Sequence, residues 1–321
     1  MEHNTGITDI AEIFHRIRSR VSEFIVGHQE LAELIFIALV SRGHILIEGV
    51  PGTAKTTIVK AISRLAGCQY GRVQCAMDVQ PADITGVRVF NRGRGDFELK
   101  KGPIFTNILL IDEINRITPK TQSAFIEAMS ELQVTIDGIT IPLHSPFFVV
   151  ATQNPYELEG TFPLIEAQKD RFMLSSIASH LDGEEELEVI RREDSGLLEW
   201  ENFFEGLRPI TTAERINCIS TELQQVRMEE PVRRYIRDLV MATRRHQDIA
   251  LGASTRASIA FVRAGKSLAA LQGRDYVLPD DVKRLSLPVL QHRLVLKREA
   301  EIAGITTAGV IEELLRTVEV P

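Results

Sequence analysis

The sequence predicts an α/β domain over residues 1–182 followed by an all-helical domain over residues 183–321. Three observations carry that reading. Short apolar runs (Ile45-Leu46-Ile47, Ile108-Leu109-Leu110-Ile111 and Phe147-Phe148-Val149-Val150-Ala151) have the length and composition of strands buried on both faces, as in a parallel sheet covered by helices. The first run feeds a glycine-bearing turn that opens a helix. From Gly183 onward the strand patterning largely vanishes and apolar residues recur at helical spacing.

The totals exclude several classes. At 44% hydrophobic and 25% charged the chain is ordinary globular, and 321 residues are enough for two domains. Lys and Arg number 37 against 44 Asp and Glu, so the net charge is −7 and no global basic field recruits nucleic acid. Cys68, Cys75 and Cys218 form no close pair and are odd in number, which argues against a disulfide framework and fits a reducing cytosol. No apolar run reaches the roughly 18–20 residues a membrane helix needs. The start, Met1-Glu2-His3-Asn4, lacks the basic-then-apolar pattern of a secretory signal.

In chain order, residues 8–24 carry Ile10, Ile13, Phe14, Ile17, Val21 and Phe24 at amphipathic-helix spacing. Val26-Gly27-His28-Gln29 breaks it, and a second helix runs over residues 30–41. His28 reads either as a polar turn residue or as a contact to a bound base. Then comes Gly49-Val50-Pro51-Gly52-Thr53-Ala54-Lys55-Thr56, after a strand and before the helix that begins Thr57-Ile58-Val59. That context suits a phosphate-binding loop. Gly49 and Gly52 let backbone N–H groups approach phosphate oxygens, and the helix dipole attracts the anion. Lys55 reaches the β- and γ-phosphates and Thr56 ligates Mg²⁺, so the cofactor-binding candidates are Gly49, Pro51, Gly52, Thr53, Ala54, Lys55, Thr56 and Thr57. Ala54 stands where the usual motif has glycine. Alanine is tolerable there with helical dihedrals and strained with a positive φ.

Residues 71–75 read as a second strand, and residues 87–90 and 97–99 as a hairpin tipped by Asn91-Arg92-Gly93-Arg94-Gly95-Asp96, with a solvated loop as the alternative. The run Ile108–Ile111 ends in Asp112-Glu113. At the carboxyl end of a parallel strand, one acid can hold Mg²⁺ and the next can accept a proton from water. Thr118-Pro119 opens a helix, and Asp137-Gly138 between alternating β-formers marks a second hairpin. Asn154, at the tip of the strand begun by Phe147, either orients water at a γ-phosphate or satisfies a turn before Pro155. Arg171 precedes the last strand, where a surface pair with Asp170 or Glu166 is the plainer reading. Helical patterns then cover residues 184–193, 212–226, 231–246, 255–272, 280–296 and 307–318, with Thr211 and Glu214 as a capping box.

The order of these motifs resembles AAA+ ATPases, and their wording resembles the MoxR family: GHILIEGVPGTAKT (43–56), QPADITG (80–86), ILLIDEINR (108–116), VVATQNP (149–155), EAQKDRF (166–172), GASTRA (252–257) and LPDDVKRL (278–285). Ala54 is typical of that family. Thr255 replaces its usual proline before the arginine, and Leu164-Ile165-Glu166-Ala167 replaces Leu-Pro-Glu-Ala; both departures leave the charged residues in place.

The resemblance implies a five-stranded parallel sheet with the Asn154 strand between the phosphate-loop and Asp112 strands, two β-hairpin inserts, and a helical lid. It implies ATP and Mg²⁺ as cofactors, with Thr56 and Asp112 at the metal. Glu113, Asn154, Arg171 and Arg256 are implied as catalytic, Arg171 as a finger reaching a neighbouring subunit and Arg256 as the lid's sensor arginine, in cis or in trans. It implies a homo-oligomeric ring, usually hexameric, that remodels, assembles or activates client proteins, among them ones with von Willebrand factor A domains. Two rival readings are a nucleic-acid motor similar to minichromosome-maintenance helicases and the ATPase subunit of a metal chelatase.

Overall fold

The three apolar runs form the centre of one five-stranded parallel sheet. The structure, a computed structural model, describes residues 3–50, 52–157, 159–196 and 200–321. Helices α1 (His3–Ser22) and α2 (Gln29–Val40) precede β1 (Ile45–Gly49), and α3 (Lys55–Leu65) follows it. Next come β2 (Tyr70–Gln74), the short α4 (Pro81–Thr85) and the hairpin of β3 (Gly86–Asn91) and β4 (Asp96–Lys101), leading to β5 (Ile108–Asp112). A 3-10 turn (Ile114–Arg116), α5 (Pro119–Glu131) and the hairpin of β6 (Gln133–Ile136) and β7 (Ile139–Pro142) lead to β8 (Phe148–Gln153). A short α6 (Glu166–Lys169) and β9 (Leu174–Ala178) complete the sheet, in the order β2-β5-β8-β1-β9. The Asn154 strand therefore lies between the Asp112 strand and the phosphate-loop strand, as the resemblance implies.

Successive residues of each central strand feed opposite cores. Ile45, Ile47, Ile108, Leu110, Phe148 and Val150 face α1, α2 and α3. Leu46, Leu109, Ile111, Val149 and Ala151 face Phe125 and Met129 of α5. Both faces are dry, which is why these strands read as unbroken apolar runs rather than as alternation.

The first of the two cores continues without a break into the C-terminal helices, through Ile216, Tyr235, Phe261 and Leu285. Those helices are α7 (Gly183–Asp194), α8 (Trp200–Gly206), α9 (Ala213–Glu222), α10 (Glu230–Thr243), α11 (Thr255–Leu271), α12 (Pro279–Leu290), α13 (Arg298–Ile302) and α14 (Thr307–Thr317). A two-stranded antiparallel ribbon, β10 (Ile249–Leu251) with β11 (Val295–Leu296), joins them.

Two local expectations are corrected. The helical pattern over residues 280–296 stops at Leu290, because His292 and Arg293 are buried and bind the Phe172 carbonyl at the sheet instead of continuing the helix. The cap of α9 is Thr212, which accepts the Arg215 N–H at 3.2 Å, and not Thr211. Among the described residues no helix is long and apolar enough to cross a membrane.

Candidate nucleotide site and a distant arginine cavity

β1 ends at Gly49, where an added Cβ would meet the Ala178 carbonyl oxygen of β9 at 2.3 Å, so only glycine fits. The chain then turns through Gly52 (φ 84), whose missing side chain would have pointed into open space. Pro51 lies outside the described residues. Ala54 is left-handed, at φ 51 and ψ 12. Of the two readings of alanine at this position, the strained one with a positive φ holds. An L-residue there costs about 1–2 kcal/mol. Its carbonyl accepts the Ile58 N–H at 2.9 Å, starting the hydrogen-bond ladder of α3.

A cavity of about 490 Å³ lies over this turn. Gly49, Gly52, Thr53, Ala54, Lys55, Thr56, Thr57, Asp112, Glu113 and Asn154 all line it. The structure thus brings together every described loop candidate, both acids and the strand-tip asparagine, because β1, β5 and β8 are adjacent and parallel and end on one side. Lys55 folds back on its own loop, donating to the Val50 carbonyl at 2.5 Å, the Gly49 carbonyl at 3.3 Å and the Thr53 hydroxyl at 2.9 Å. Burial lowers its pKa, and Asp112 and Glu113 oppose that shift. A half-buried ammonium satisfied by loop carbonyls is one that an incoming phosphate can draw outward. The open cradle at Gly52, the lysine and the threonine hydroxyls fit a nucleotide's phosphates.

Asp112 is held from two sides. Thr152 of β8 donates its hydroxyl to Oδ1 at 2.8 Å and also accepts the Glu113 N–H at 2.9 Å. Arg72 of β2 lies 2.7 Å from Oδ2. Among the described residues no group of three or more His, Cys, Asp or Glu could hold a metal ion. Asp112 and the Thr56 hydroxyl line one cavity, a donor set that suits Mg²⁺, which takes one or two protein ligands and completes its shell with phosphate and water.

Glu113 is also left-handed (φ 63) and is paired with Arg116 at 3.0 Å, with the Gln74 amide at 3.3 Å. Asn154 uses its amide oxygen to accept the Tyr156 N–H at 3.2 Å. The turn reading of that residue is therefore met, and the amide nitrogen is left to act as the donor. Thr152, Arg72, Gln74 and Arg116 were not singled out from the sequence. Gln74 and Arg72 had a usable signal, since polar residues at the carboxyl end of a predicted parallel strand face the ligand side.

A second cavity, of about 300 Å³, shares Gly52, Thr53 and Ala54 with the first and is walled by Ile25, Val26, His28, His180, Leu181 and Val189. It is a largely apolar slot that also presents Glu186, and it adjoins the phosphate cradle. His28 occupies a left-handed turn (φ 54), so its turn reading is met, and it also lines this slot. Burial lowers its pKa, so the ring presents itself neutral.

Arg171 and Arg256 are elsewhere. They line a cavity of about 510 Å³ that shares no residue with the phosphate cavity. Asp170 organises it, accepting the Ser254 hydroxyl at 2.8 Å, Arg256 Nη1 at 3.3 Å and Arg293 Nε at 3.0 Å. Arg171 does not pair with Asp170 or Glu166; it donates to the Ser130 hydroxyl. The position follows from topology. In the parallel register Ile45 faces Leu174 and Gly49 faces Ala178, so Arg171 lies before the start of β9 while the phosphate loop follows the end of β1. At about 3.3 Å per residue the two are separated by roughly 20 Å along the sheet.

Comparison with known proteins shows the family. The model of the ATPase family associated with various cellular activities matches residues 44–174, and that of the AAA lid domain matches residues 241–314. The chain is 41% identical to the uncharacterized protein YeaC of Bacillus subtilis, covering 98% of this chain and 96% of that one. It is 38% identical to the chaperone MoxR1 of Mycobacterium tuberculosis, covering 98% of this chain and 84% of that protein. A solved structure from Cytophaga hutchinsonii, provisionally designated an ATPase, superposes with a TM-score of 0.90 at 39% identity, over 99% of this chain and 97% of that one. The chain belongs to the MoxR family of AAA+ ATPases.

Proposed function

We propose that this chain hydrolyses ATP with Mg²⁺ at the junction between copies of itself, in a hexameric ring, and uses the cycle to remodel, assemble or activate client proteins. The nucleotide-binding unit is residues 1–182 and the lid is residues 183–321. The observation that supports this most is the separation of the two half-sites. The phosphate cradle and both acids lie at the carboxyl ends of the strands, and Arg171 and Arg256 lie together beyond the amino ends, out of each other's reach. A single chain cannot bring them to one phosphate, and a ring of copies stacked head to tail can. On this reading Arg256 acts in trans alongside Arg171.

Lys55 binds the β- and γ-phosphates, with the N–H groups of the loop and of the start of α3. Thr56 and Asp112 would hold the metal, Asp112 giving up its pair with Arg72 to do so. Bound Mg²⁺ neutralises charge on the phosphate oxygens. Glu113 leaves Arg116 to accept a proton from the attacking water, which the Asn154 amide nitrogen orients. The free thiols Cys68, Cys75 and Cys218 favour a reducing, cytoplasmic setting. Lys55→Ala should abolish nucleotide binding, while Glu113→Gln should bind ATP and stall. Equal turnover by Glu113→Gln and wild type would remove this mechanism.

The client reading rests on the hairpin of β3 and β4. Phe90 and Phe97 form an edge-to-face pair at 5.2 Å and are each at least half exposed. Arg94 is tied to Glu98 at 2.6 Å. Exposed aromatics beside a cationic tip suit a protein segment, with von Willebrand factor A domains as one class of client. Arg92→Ala with Arg94→Ala should keep basal turnover and lose client stimulation. Tight DNA binding at physiological salt, lost in that double variant, would favour the nucleic-acid motor instead.

A further inference from the structure

We propose that Arg42 and Arg263 complete, with Arg171 and Arg256, a four-arginine cradle that grips the triphosphate bound to the neighbouring copy. This rests on the reading that the active site is shared between copies.

Arg42 and Arg171 hold matched positions just ahead of the neighbouring strands β1 and β9. Ile45 of β1 faces Leu174 of β9, and each arginine lies three residues upstream of its member of that pair (45 − 42 and 174 − 171). They therefore emerge from the same end of the sheet, side by side. Arg42 reaches this position in a left-handed conformation (φ 53), immediately before Gly43. That conformation is the Schellman cap of α2, with the Arg42 N–H on the Leu39 carbonyl at 3.2 Å and the Gly43 N–H on the Ala38 carbonyl at 2.9 Å, and it fixes where Arg42 leaves the helix.

Arg256 and Arg263 form the second pair. They are seven residues apart on α11, two turns along one face, or about 10 Å at 1.5 Å per residue. Arg42, Arg171, Arg256 and Arg263 all line the cavity of about 510 Å³. The end of α2 is tied to α11 by Ser41, whose hydroxyl is 2.6 Å from that of Ser267 and 3.4 Å from the Arg263 carbonyl. The two arginine pairs are thus held at a fixed distance.

The charge is unbalanced. Asp170 and Glu131 line the same cavity, but Asp170 is occupied by Arg256, the buried Arg293 and Ser254. Among the described residues no ion pair engages Arg42, Arg171 or Arg263. Arg42 makes a long bond of 3.4 Å to the Asn217 carbonyl. Guanidinium groups fit phosphate oxygens two N–H donors at a time, so a polyphosphate satisfies this cavity with more directed bonds than scattered carboxylates would.

The test is the double variant Arg42→Ala/Arg263→Ala, assayed for ATP turnover alone and mixed with Glu113→Gln. Each charged contact to phosphate should contribute about tenfold to a hundredfold, expressed in kcat. Mixing should restore turnover, since the double variant keeps an intact nucleotide site and Glu113→Gln keeps an intact arginine face. In a Glu113→Gln background the two alanines should weaken assembly in the presence of ATP and leave nucleotide-free assembly unchanged. Arg42→Lys/Arg263→Lys, which keeps the charge but loses the paired donors, should fall between wild type and the alanine variant. It carries the test if the alanine variant does not fold. Wild-type kcat, or an equal loss of assembly with and without ATP, would overturn the proposal. Failure of mixing here, while Arg171→Ala and Glu113→Gln still complement each other, would overturn it and spare the shared-site reading. Failure of both mixtures would overturn the shared site itself.

Discussion

Arg116 holds Glu113: its Nε lies 3.0 Å from the carboxylate Oε2, and its guanidinium also bonds Glu157 at 2.5 Å. Gln74 reaches the same oxygen of Glu113 at 3.3 Å. A carboxylate engaged in this way must be released before it can take a proton from water. Arg116→Ala should therefore raise basal ATP turnover several-fold while leaving nucleotide affinity near wild type. Steady-state hydrolysis checks this, and a fall in kcat would mean that Arg116 aligns Glu113 instead of restraining it.

Ala54 offers a stability prediction. Its left-handed backbone (φ 51) costs an L-residue about 1–2 kcal/mol, and glycine forfeits about 0.4–1 kcal/mol of that through the entropy of the unfolded chain. Ala54→Gly should be more stable by about 0.5–1 kcal/mol in denaturant unfolding. Destabilisation by a similar amount would show that the methyl group packs to advantage against the core it adjoins.

His44 makes folding depend on pH. The ring is fully buried, donates from Nε2 to the Met129 carbonyl at 3.1 Å and accepts the Val149 N–H on Nδ1 at 3.1 Å. The bond from Val149 requires the neutral ring, because a protonated Nδ1 cannot accept. Burial pushes its pKa from 6.5 down to about 4. Between those values the unfolded chain binds a proton that the folded chain refuses, so stability is full above pH 6.5 and is lost as pH falls towards 4. The shift corresponds to roughly 3 kcal/mol. His44→Gln should be less stable at pH 7 but show a flatter decline over that window. Parallel pH profiles for the two proteins would contradict the assignment.

What the sequence made legible was chemistry carried by neighbours along the chain. The loop from Gly49 to Thr56, the Asp112-Glu113 pair and the Asn154 tip each announce themselves locally, because a strand, a turn and a reactive side chain follow one another. The strand runs were equally plain, since burial on both faces leaves no polar residue to interrupt Ile108–Ile111. Contacts between strands were legible only as far as the resemblance supplied the strand order. Thr152 matters because β8 lies beside β5, and Arg72 because β2 lies on the other side of β5; neither adjacency is written in the spacing. The end of α12 was overrun for the same reason, as His292 and Arg293 are drawn to a carbonyl about 120 residues away. The left-handed turn at Ala54 is set by the cradle as a whole, against the local preference of alanine.

The shared site is tested most directly by mixing two inactive variants. Arg171→Ala should bind ATP nearly as wild type and lose roughly 10³–10⁵ in turnover, the worth of an arginine supplied to the transition state. Glu113→Gln should likewise bind and stall. Combined, they should regain turnover in proportion to the interfaces that pair an intact Glu113 with an intact Arg171 from the next copy. Mixed assemblies that form, as seen by sedimentation, and yet remain inactive would contradict the account.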